Sequence, residues 1–504
     1  MGVTGRPVST VLSRAPAGLA APLVRVEVHL GSGIPVFAMV GLPEAVVRES
    51  RERVRSALLT SGYEFPPGRI TVNLSPADLP KEGGRFDLPI AVGILAASGQ
   101  LPQQPLGHRE FYGELALSGA LRETPKLLPA LMEGARTERE LILPAANALE
   151  ASWIAGPKVK LAGHLREVCE ALMGRTALPA ARALAKAENS PPPDLADVRG
   201  QFSAKRALEI AAAGAHGLLM IGPPGAGKTL LAQRLPGLLP PLDDDEALQV
   251  ASLESAAGRR PSLGRCRPFR SPHHTASVAA LIGGGSLRPG ELSLAHLGVL
   301  FLDEFPEFAR NALEALREPL ESGVVLISRA KRACEFPARF QLVAAMNPCP
   351  CGYAGERSGR CRCTEDQVDR YRKRISGPLI DRIDMHVELG KVPVEHLLSE
   401  SSPAAENSAA VAARVARARQ AQMLRQGKLN SRLTPDEVAR ICRLDRESRA
   451  LVGTAIARLG LSARAYHRVL KLARTCADLA AESQIRRVDA SEAVRLRSLD
   501  RATC

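Results

Sequence analysis

The sequence contains 504 residues, of which 45% are hydrophobic and 24% are charged, with a formal net charge of +14. These proportions are ordinary for a folded globular protein, and the length suggests about three domains. No run of about 18 apolar residues occurs and the N-terminus lacks an apolar signal core, so we expect a cytoplasmic protein with no membrane partner.

The positive charge favours a polyanionic partner such as DNA, although an Arg-rich composition with no dedicated partner is the alternative. Only 3% of the residues are aromatic, which argues against a stacking platform for single-stranded bases. If DNA is bound, whether single-stranded or branched, we expect contacts to its phosphate backbone with little sequence preference.

Residues 1–185 are predicted to form one α/β domain. Residues 23–30 alternate apolar and polar side chains, which is typical of a half-buried strand, and residues 34–40 are expected to be its antiparallel partner. Helical spacing over 44–59 and renewed alternation over 70–74 continue the mixed pattern. A Ser-Pro-Pro-Pro run within residues 186–196 then indicates a linker.

A phosphate-binding loop follows. Residues 218–221 are a short apolar run, predicted to be a buried strand, and the next residues have the spacing G-x4-G-K-T: Gly222, Pro223, Pro224, Gly225, Ala226, Gly227, Lys228 and Thr229. Glycines let the backbone wrap around an anion. We expect Lys228 to reach the outer phosphates of ATP and the Thr229 hydroxyl to hold Mg²⁺. A Gly-rich turn without a ligand is the alternative.

A pair of acidic residues begins 75 positions after Lys228. Residues 299–302 are apolar and lead into Asp303 and Glu304, so both carboxylates are predicted at the carboxyl edge of a buried strand, where α/β sheets bind ligands. We expect Asp303 to hold Mg²⁺ and Glu304 to orient the attacking water. Residues 341–346 predict a neighbouring strand that ends at Asn347, which could bind the γ-phosphate or the water.

The interval between Lys228 and Asp303 is too long for one helix and one strand, so it contains an insertion. Residues 268–275 and the glycines at 283–285 predict a hinged loop in which Arg270, His273 and His274 are available to phosphates. A metal site at the two histidines is disfavoured, because adjacent side chains in a strand point in opposite directions.

Residues 323–340 predict a hairpin with a basic tip at Arg329, Lys331 and Arg332, for which DNA contact and a solvated turn are both considered. Residues 393–504 are predicted to be helical, with an Arg-rich helix over 409–426 that Gly427 ends, and a further helix that begins near residue 461.

Four cysteines lie within fifteen positions: Cys349, Cys351, Cys361 and Cys363. We call residues 349–363 the cysteine knuckle. This density suggests a structural zinc site, with four reduced thiols on a loop as the alternative. Arginines and lysines crowd the segment and make it a further candidate DNA surface: Arg357, Arg360, Arg362, Arg370, Arg372, Lys373 and Arg374.

Several segments together resemble the ComM/YifB family of magnesium-chelatase-like ATPases: residues 41–55, 72–83, 268–275, 290–304, 347–352, 376–386 and 461–479. The resemblance implies an α/β protein with four parts. These are a Lon-protease-like domain of the ribosomal-S5-domain-2 fold at 1–185, the linker, an AAA+ P-loop α/β core at 197–392 and an all-α lid at 393–504.

The resemblance also assigns roles to individual residues. Asn347 matches sensor 1, Arg382 matches the arginine finger that acts on a neighbouring subunit, and Arg464 is the best candidate for sensor 2. An intramolecular ion pair of Arg382 with Asp381 or Asp384 is the alternative to the finger. A plain solvated helix face remains open for Arg468 and Arg474.

In Lon proteases a nucleophilic serine lies at about the position of Arg85, so the resemblance implies a proteolytically inactive domain. That domain could be a structural or oligomerisation module, or it could contact DNA.

The family is expected to act as a hexameric DNA motor that promotes branch migration in homologous recombination during natural transformation. The alternatives are a magnesium-chelatase motor subunit, a Lon-type protease and a non-motor ATP-dependent scaffold. The N-terminal domain and the knuckle argue against the first, Arg85 against the second, and the set of Lys228, Asp303, Glu304 and Asn347 against the third.

Overall fold

The structure is a computed structural model that describes residues 8–41, 45–183, 192–262, 264–284, 287–329, 332–355, 360–391, 406–459 and 462–497. The chain divides into two compact units. The first comprises Met1–Ala187 and Ala247–Gly264, and the second comprises Glu188–Glu246 and Arg265–Cys504. Within the described ranges, none of the helices combines the length and apolar character needed to cross a membrane.

Among its described residues up to 183, the first unit contains ten strands and five α-helices. The strands are β1 (Val8–Arg14), β2 (Leu23–Gly31), β3 (Val36–Val40), β4 (Arg69–Ser75), β5 (Arg109–Phe111), β6 (Glu114–Leu115), β7 (Leu121–Arg122), β8 (Glu140–Pro144), β9 (Gly156–Ala162) and β10 (Ala180–Ala181). The helices are α1 (Ala45–Thr60), α2 (Asp87–Ala97), α3 (Leu128–Ala135), α4 (Ala148–Ala151) and α5 (Leu165–Leu172).

Eight of these strands form one sheet in the order β10-β9-β8-β5-β1-β2-β4-β3, and β6 pairs with β7. Every residue of α2 is buried, and the helix packs on β1 and β2, whose inward side chains include Val11, Val24, Val26 and Val28. The alternation of β2 therefore gives one buried face, as its sequence pattern predicts.

The predicted antiparallel pairing of residues 34–40 with residues 23–30 is wrong. Both edges of β2 are occupied by β1 and β4, so β3 pairs instead with β4, in parallel, from Val36 opposite Arg69 to Val40 opposite Asn73. The short Gly31–Gly33 connection between β2 and β3 is typical of a hairpin. In the structure β3 pairs instead with β4, which lies much further along the chain.

Arg85 is the residue expected, from the resemblance, at the position of the Lon nucleophile. Its side chain is buried, Nη2 donates to the carbonyl of Pro125 at 2.6 Å, and burial lowers its pKa to about 10. Arg85 is thus a packed cation, and the absence of proteolysis stays a prediction.

The second unit contains the remaining elements. Its strands are β11 (Leu218–Ile221), β12 (Phe269–Arg270), β13 (Gly283–Gly284), β14 (Arg288–Pro289), β15 (Val299–Leu302), β16 (Val324–Arg329), β17 (Arg332–Pro337), β18 (Gln341–Met346) and β19 (Met385–Glu388). Its helices are α6 (Phe202–Gly214), α7 (Lys228–Ala232), α8 (Leu235–Leu238), α9 (Asp244–Ala256, counted with the first unit from Ala247), α10 (Val278–Ile282), α11 (Glu291–Leu294), α12 (Arg310–Glu314), α13 (Arg317–Ser322), α14 (Glu365–Arg372), α15 (Gly377–Ile380), α16 (Ser408–Gln426), α17 (Pro435–Ile441), α18 (Arg446–Leu459), α19 (Ala463–Leu479) and α20 (Arg487–Arg495).

A five-stranded parallel sheet in the order β12-β15-β18-β11-β19 forms the centre of this unit. All residues of β11, β15 and β18 are buried, as expected for parallel strands covered on both faces, and this is why they read as continuous apolar runs. The predicted α/β core, with helices C-terminal to it, is confirmed.

The C-terminal helices confirm the predicted helical region. Gly427, with φ of 70°, ends α16, because glycine tolerates the left-handed conformation there. The solvated interpretation of Arg468 and Arg474 is wrong. Arg474 is buried and donates to Asp478 and to the carbonyl of Ser483, while Arg468 is ion-paired with Asp384.

The predicted basic hairpin is present as β16 and β17, paired from Val324 opposite Pro337 to Arg329 opposite Arg332. Residues 330 and 331 lie outside the described residues, as do the side chains of Arg329 and Arg332. DNA contact by this tip therefore stays a prediction.

Candidate active site

Three neighbouring strands end at the same edge of the parallel sheet. In β15, β18 and β11 the register places Leu302 opposite Ala344 and Ile221 opposite Met346. The residues that follow these strands are Asp303, Asn347 and Gly222, and ligands bind at this carboxyl edge in α/β sheets. The sheet therefore brings together the acidic element, the polar residue and the phosphate loop that the sequence predicts.

The phosphate loop holds Lys228 at its centre. Gly225 and Gly227 have φ of 77° and 87°, left-handed conformations that glycine adopts without strain. The Lys228 ammonium donates to the carbonyls of Gly222 (2.6 Å) and Pro223 (3.0 Å) and to Asn347 Oδ1 (3.0 Å). Burial lowers the pKa of Lys228, an effect that Asp303 and Glu304 oppose. Hydrogen bonds of Lys228 thus connect the phosphate loop with Asn347.

Thr229 and Asp303 form the other half of the site. The Thr229 hydroxyl donates to Asp303 Oδ2 at 2.7 Å, and the Glu304 N–H donates to Asp303 Oδ1 at 2.9 Å. A hydroxyl and a carboxylate this close together are the oxygen ligands that Mg²⁺ takes when it also binds phosphate, so these two residues fit the predicted magnesium site.

Glu304 has an unusual backbone and a partner that the sequence pattern does not reveal. Its φ is 51°, a left-handed value that costs energy for a residue other than glycine and is often found at functional sites. Its Oε2 lies 2.9 Å from Nδ1 of His274, which follows β12 at the neighbouring edge of the sheet. His274 is therefore a site residue for which the sequence predicts only general phosphate contact.

Arg270 has a partner within the chain, and its availability to phosphates stays a prediction. Arg270 is bound to both carboxylate oxygens of Glu291, at 2.6 and 2.8 Å. His273 is hydrogen-bonded through Nδ1 to the Thr275 hydroxyl at 2.9 Å, and its ring lies against that of His274, with 4.2 Å between the ring centroids.

Arg382 makes an intrachain ion pair with Glu321, and not with Asp381 or Asp384. Its Nη2 lies 2.5 Å from Glu321 Oε1, and its Nη1 donates to the Pro378 carbonyl at 2.7 Å. The side chain is 11% exposed. Arg464, by contrast, is exposed at the start of α19.

Asp384 is a buried residue whose contacts connect the sheet with the C-terminal helices. It is ion-paired with Arg468, accepts from the Gly217 N–H at 3.2 Å, and lies 3.3 Å from Nδ1 of His216. Burial alone would raise the pKa of Asp384, but Arg468 and His216 hold it well below its usual range. Arg468 also donates to the carbonyl of Arg382 at 3.0 Å, so it fixes the backbone that carries the predicted finger.

The four knuckle cysteines converge. Their sulfur atoms all lie within 4.8 Å of one another, and the thiols are free. The Ala354 N–H donates to Cys349 Sγ at 3.3 Å. Hydrogen bonds from the backbones of Tyr353 and Arg362, followed by the Cys349 thiol, lower the pKa of Cys351 to about 6.

The knuckle and helix α14 present basic side chains to solvent. Those exposed are Arg360, Arg362, Arg370, Lys373 and Arg374. Arg374 is ion-paired with Glu307 at 2.6 Å, Arg372 is half-buried, and Arg357 lies outside the described residues.

Three family models match the chain. The model described as magnesium chelatase, subunit ChlI, matches residues 194–397, which contain the phosphate loop, Asp303, Glu304, Asn347, the knuckle and Arg382 but not Arg464. The models described as subunit ChlI of Mg-chelatase and as magnesium chelatase, subunit ChlI C-terminal, match residues 26–147 and 405–497.

Two relatives are similar over nearly the full length. Uncharacterized protein YifB of Salmonella typhimurium is 49% identical over 495 residues, covering 97% of each chain. Competence protein ComM of Haemophilus influenzae is 49% identical over 500 residues, again with 97% of each chain covered. A weaker match, DNA helicase MCM8 of Bos taurus, is 25% identical over 186 residues, covering 36% of this chain and 19% of the relative.

Proposed function

This chain belongs to the ComM/YifB family of magnesium-chelatase-like proteins, and from that premise we propose that it is an ATP-driven, ring-forming DNA motor. Its role is that of a helicase or branch-migration factor in homologous recombination during natural transformation. The observation that carries the proposal is the convergence of Lys228, Asp303, Glu304 and Asn347 at one sheet edge. The relative named as a competence protein and the weaker match named as a helicase support it.

Each residue of the site has a separate role in the proposed ATP hydrolysis. Lys228 would move from the loop carbonyls to phosphate oxygens of ATP. Thr229 and Asp303 would hold Mg²⁺, which would supply positive charge beside the phosphates. Glu304 orients the attacking water, and Asn347 positions that water or the γ-phosphate through its amide. The hydrogen bond between Asn347 and Lys228 couples the sensor to the phosphate loop.

The ring is proposed because Arg382 is expected to act on the ATP site of a neighbouring subunit. An arginine finger completes the charge stabilisation of a neighbour's γ-phosphate, so subunits have to meet, as a hexamer in the expected form. In this chain Arg382 first has to leave Glu321, whose side chain is 58% exposed and therefore readily solvated. Arg468 keeps the Arg382 backbone in place during that exchange. Arg464, exposed at the start of α19, is the proposed sensor 2.

DNA contact is proposed for the basic surface of the knuckle and for the β16–β17 tip. Exposed arginines and lysines supply phosphate contacts without base readout, in keeping with the net charge of +14. Binding should then weaken steeply as salt concentration rises.

The test is the ATPase rate of the purified full-length chain with and without DNA, beside the same measurement on Lys228→Ala. The proposal expects a rate that DNA stimulates and that the substitution abolishes. The second candidate is a magnesium-chelatase motor subunit, favoured by the family models. Stimulation only by porphyrin and chelatase partners, and none by DNA, would replace the motor with that function.

A further inference from the structure

The sulfur geometry of the cysteine knuckle matches a single tetrahedral metal ion. Cys349 Sγ lies 3.3 Å from Cys351 Sγ and 3.8 Å from Cys361 Sγ, and the last two sulfurs are 3.6 Å apart. Zinc–sulfur bonds of about 2.3 Å in a tetrahedron place the sulfurs about 3.8 Å apart. Cys363 completes the group within 4.8 Å.

The backbone around the sulfurs also suits thiolate ligands. The Ala354 N–H points at Cys349 Sγ, and the backbones of Tyr353 and Arg362 hydrogen-bond Cys351. Such N–H groups and the neighbouring arginines offset the negative charge of four thiolates.

The knuckle touches the proposed ATP site directly. It begins two residues after Asn347, and the Gly352 N–H donates to the Cys349 carbonyl at 3.0 Å. A Cβ at Gly352 would lie 2.7 Å from Pro224 Cδ, so the Gly352 backbone is packed against the phosphate loop. On the other side, the Tyr371 hydroxyl is hydrogen-bonded to the backbone of Asn347.

We propose that Cys349, Cys351, Cys361 and Cys363 bind one zinc ion, and that this ion holds the knuckle against the phosphate loop and Asn347. Binding releases up to four thiol protons and involves no redox change, so the affinity falls at low pH. The zinc site rests on sulfur geometry alone. Its coupling to ATP rests on the nucleotide-binding part of the proposed function and is independent of any DNA activity.

Zinc content tests the site. The full-length chain, purified under reducing conditions without chelator, should contain about one zinc per chain by elemental analysis. Cys349→Ser and Cys361→Ser should lose it, whereas Cys266→Ser, an exposed cysteine outside the knuckle, should keep it. If the knuckle variants fail to fold, mercurial titration of the wild-type chain serves instead and should release one zinc as the thiols react. A reduced wild-type chain that neither contains zinc nor takes up one equivalent from ZnCl₂ would overturn the site.

Gly352 tests the coupling. Gly352 and Gly355 both have left-handed φ, 86° and 81°, but a Cβ at Gly355 meets nothing within 4 Å. Alanine therefore strains both backbones similarly and pushes on the phosphate loop only at position 352. Gly352→Ala should retain zinc and bind a fluorescent ATP analogue about tenfold more weakly, and Gly355→Ala should bind it as the wild type does. Equal affinities for the two variants would contradict the coupling while leaving the zinc measurement and the DNA assays unaffected.

Discussion

The imidazole of His274 lies against the carboxylate of Glu304, with 2.9 Å between Nδ1 and Oε2. Glu304 is the residue proposed to orient the attacking water, and its backbone has a left-handed φ of 51°. The imidazole and a water oriented by Glu304 would therefore compete for the same carboxylate. The pair connects the insertion that contains His274 with the chemistry at the end of β15.

Removing the imidazole should raise the ATPase rate in the absence of DNA. His274→Ala leaves the Glu304 carboxylate free, and a hydrogen bond between partly exposed groups accounts for about a two- to tenfold change. Steady-state rates measure this, with His108→Ala as the control because His108 is exposed and is not one of the site residues. A His274→Ala rate below that of the wild type would show that the imidazole assists Glu304.

Arg382→Ala should bind ATP normally and hydrolyse it at least about a hundredfold more slowly, because a finger stabilises the transition state of a neighbour's site. Mixing Arg382→Ala with Lys228→Ala chains should restore part of the rate, since the second chain donates an intact finger to the first. Arg317→Ala, which removes an arginine paired with Glu314, is the control. Activity that mixing fails to restore would mean that Arg382 acts only within its own chain.

Asp384→Asn should destabilise the second unit by about 3 kcal/mol, because it leaves Arg468 without its carboxylate at a buried junction. Urea unfolding followed by circular dichroism measures the loss. Glu138→Gln, which removes a carboxylate from an exposed pair with Lys158, should leave the unfolding midpoint unchanged. Equal midpoints for both variants would contradict the role assigned to Asp384.

Stability should fall between pH 7 and pH 5 because of two buried histidines. Burial, followed by nearby arginines, lowers the pKa of His296 to about 4 and of His386 to about 3. Below pH 6.5 these histidines therefore bind protons in the unfolded chain but not in the folded chain. At pH 5 this difference lowers the free energy of unfolding by about 2 kcal/mol per histidine.

His386→Leu tests this dependence, since neither ring nitrogen of His386 has a hydrogen-bond partner among the described residues. The variant should show a shallower loss of stability from pH 7 to pH 5 in urea titrations. His108→Leu, at an exposed position, should keep the wild-type slope. An unchanged slope in His386→Leu would mean that His386 is protonated in the folded chain.

The parts of the site that follow strands could be predicted from the sequence. The apolar runs before Gly222, Asp303 and Asn347 are typical of buried parallel strands, and such strands bring their carboxyl ends together. Fixed spacing within the phosphate loop likewise identifies Lys228 and Thr229. These features depend on local pattern and on one general property of parallel sheets.

Contacts between distant segments could not be predicted in this way. Glu321 and His274 carry no local signal that would match them with Arg382 and Glu304, and nothing in the sequence distinguishes Gly352 from the open glycine at 355. The pairing of β3 was misassigned for the same reason, since the occupancy of both edges of β2 depends on strands elsewhere in the chain.

The most direct test of the motor proposal is conversion of a labelled four-way DNA junction into its duplex products by the purified full-length chain. With ATP and Mg²⁺ the wild type should convert the junction, and Lys228→Ala and Glu304→Gln should not, although Glu304→Gln still binds ATP. His108→Ala, at an exposed position outside the site residues, should convert it like the wild type. A wild-type chain that hydrolyses ATP but leaves the junction intact, or that converts it equally well without ATP, would contradict an ATP-driven DNA motor.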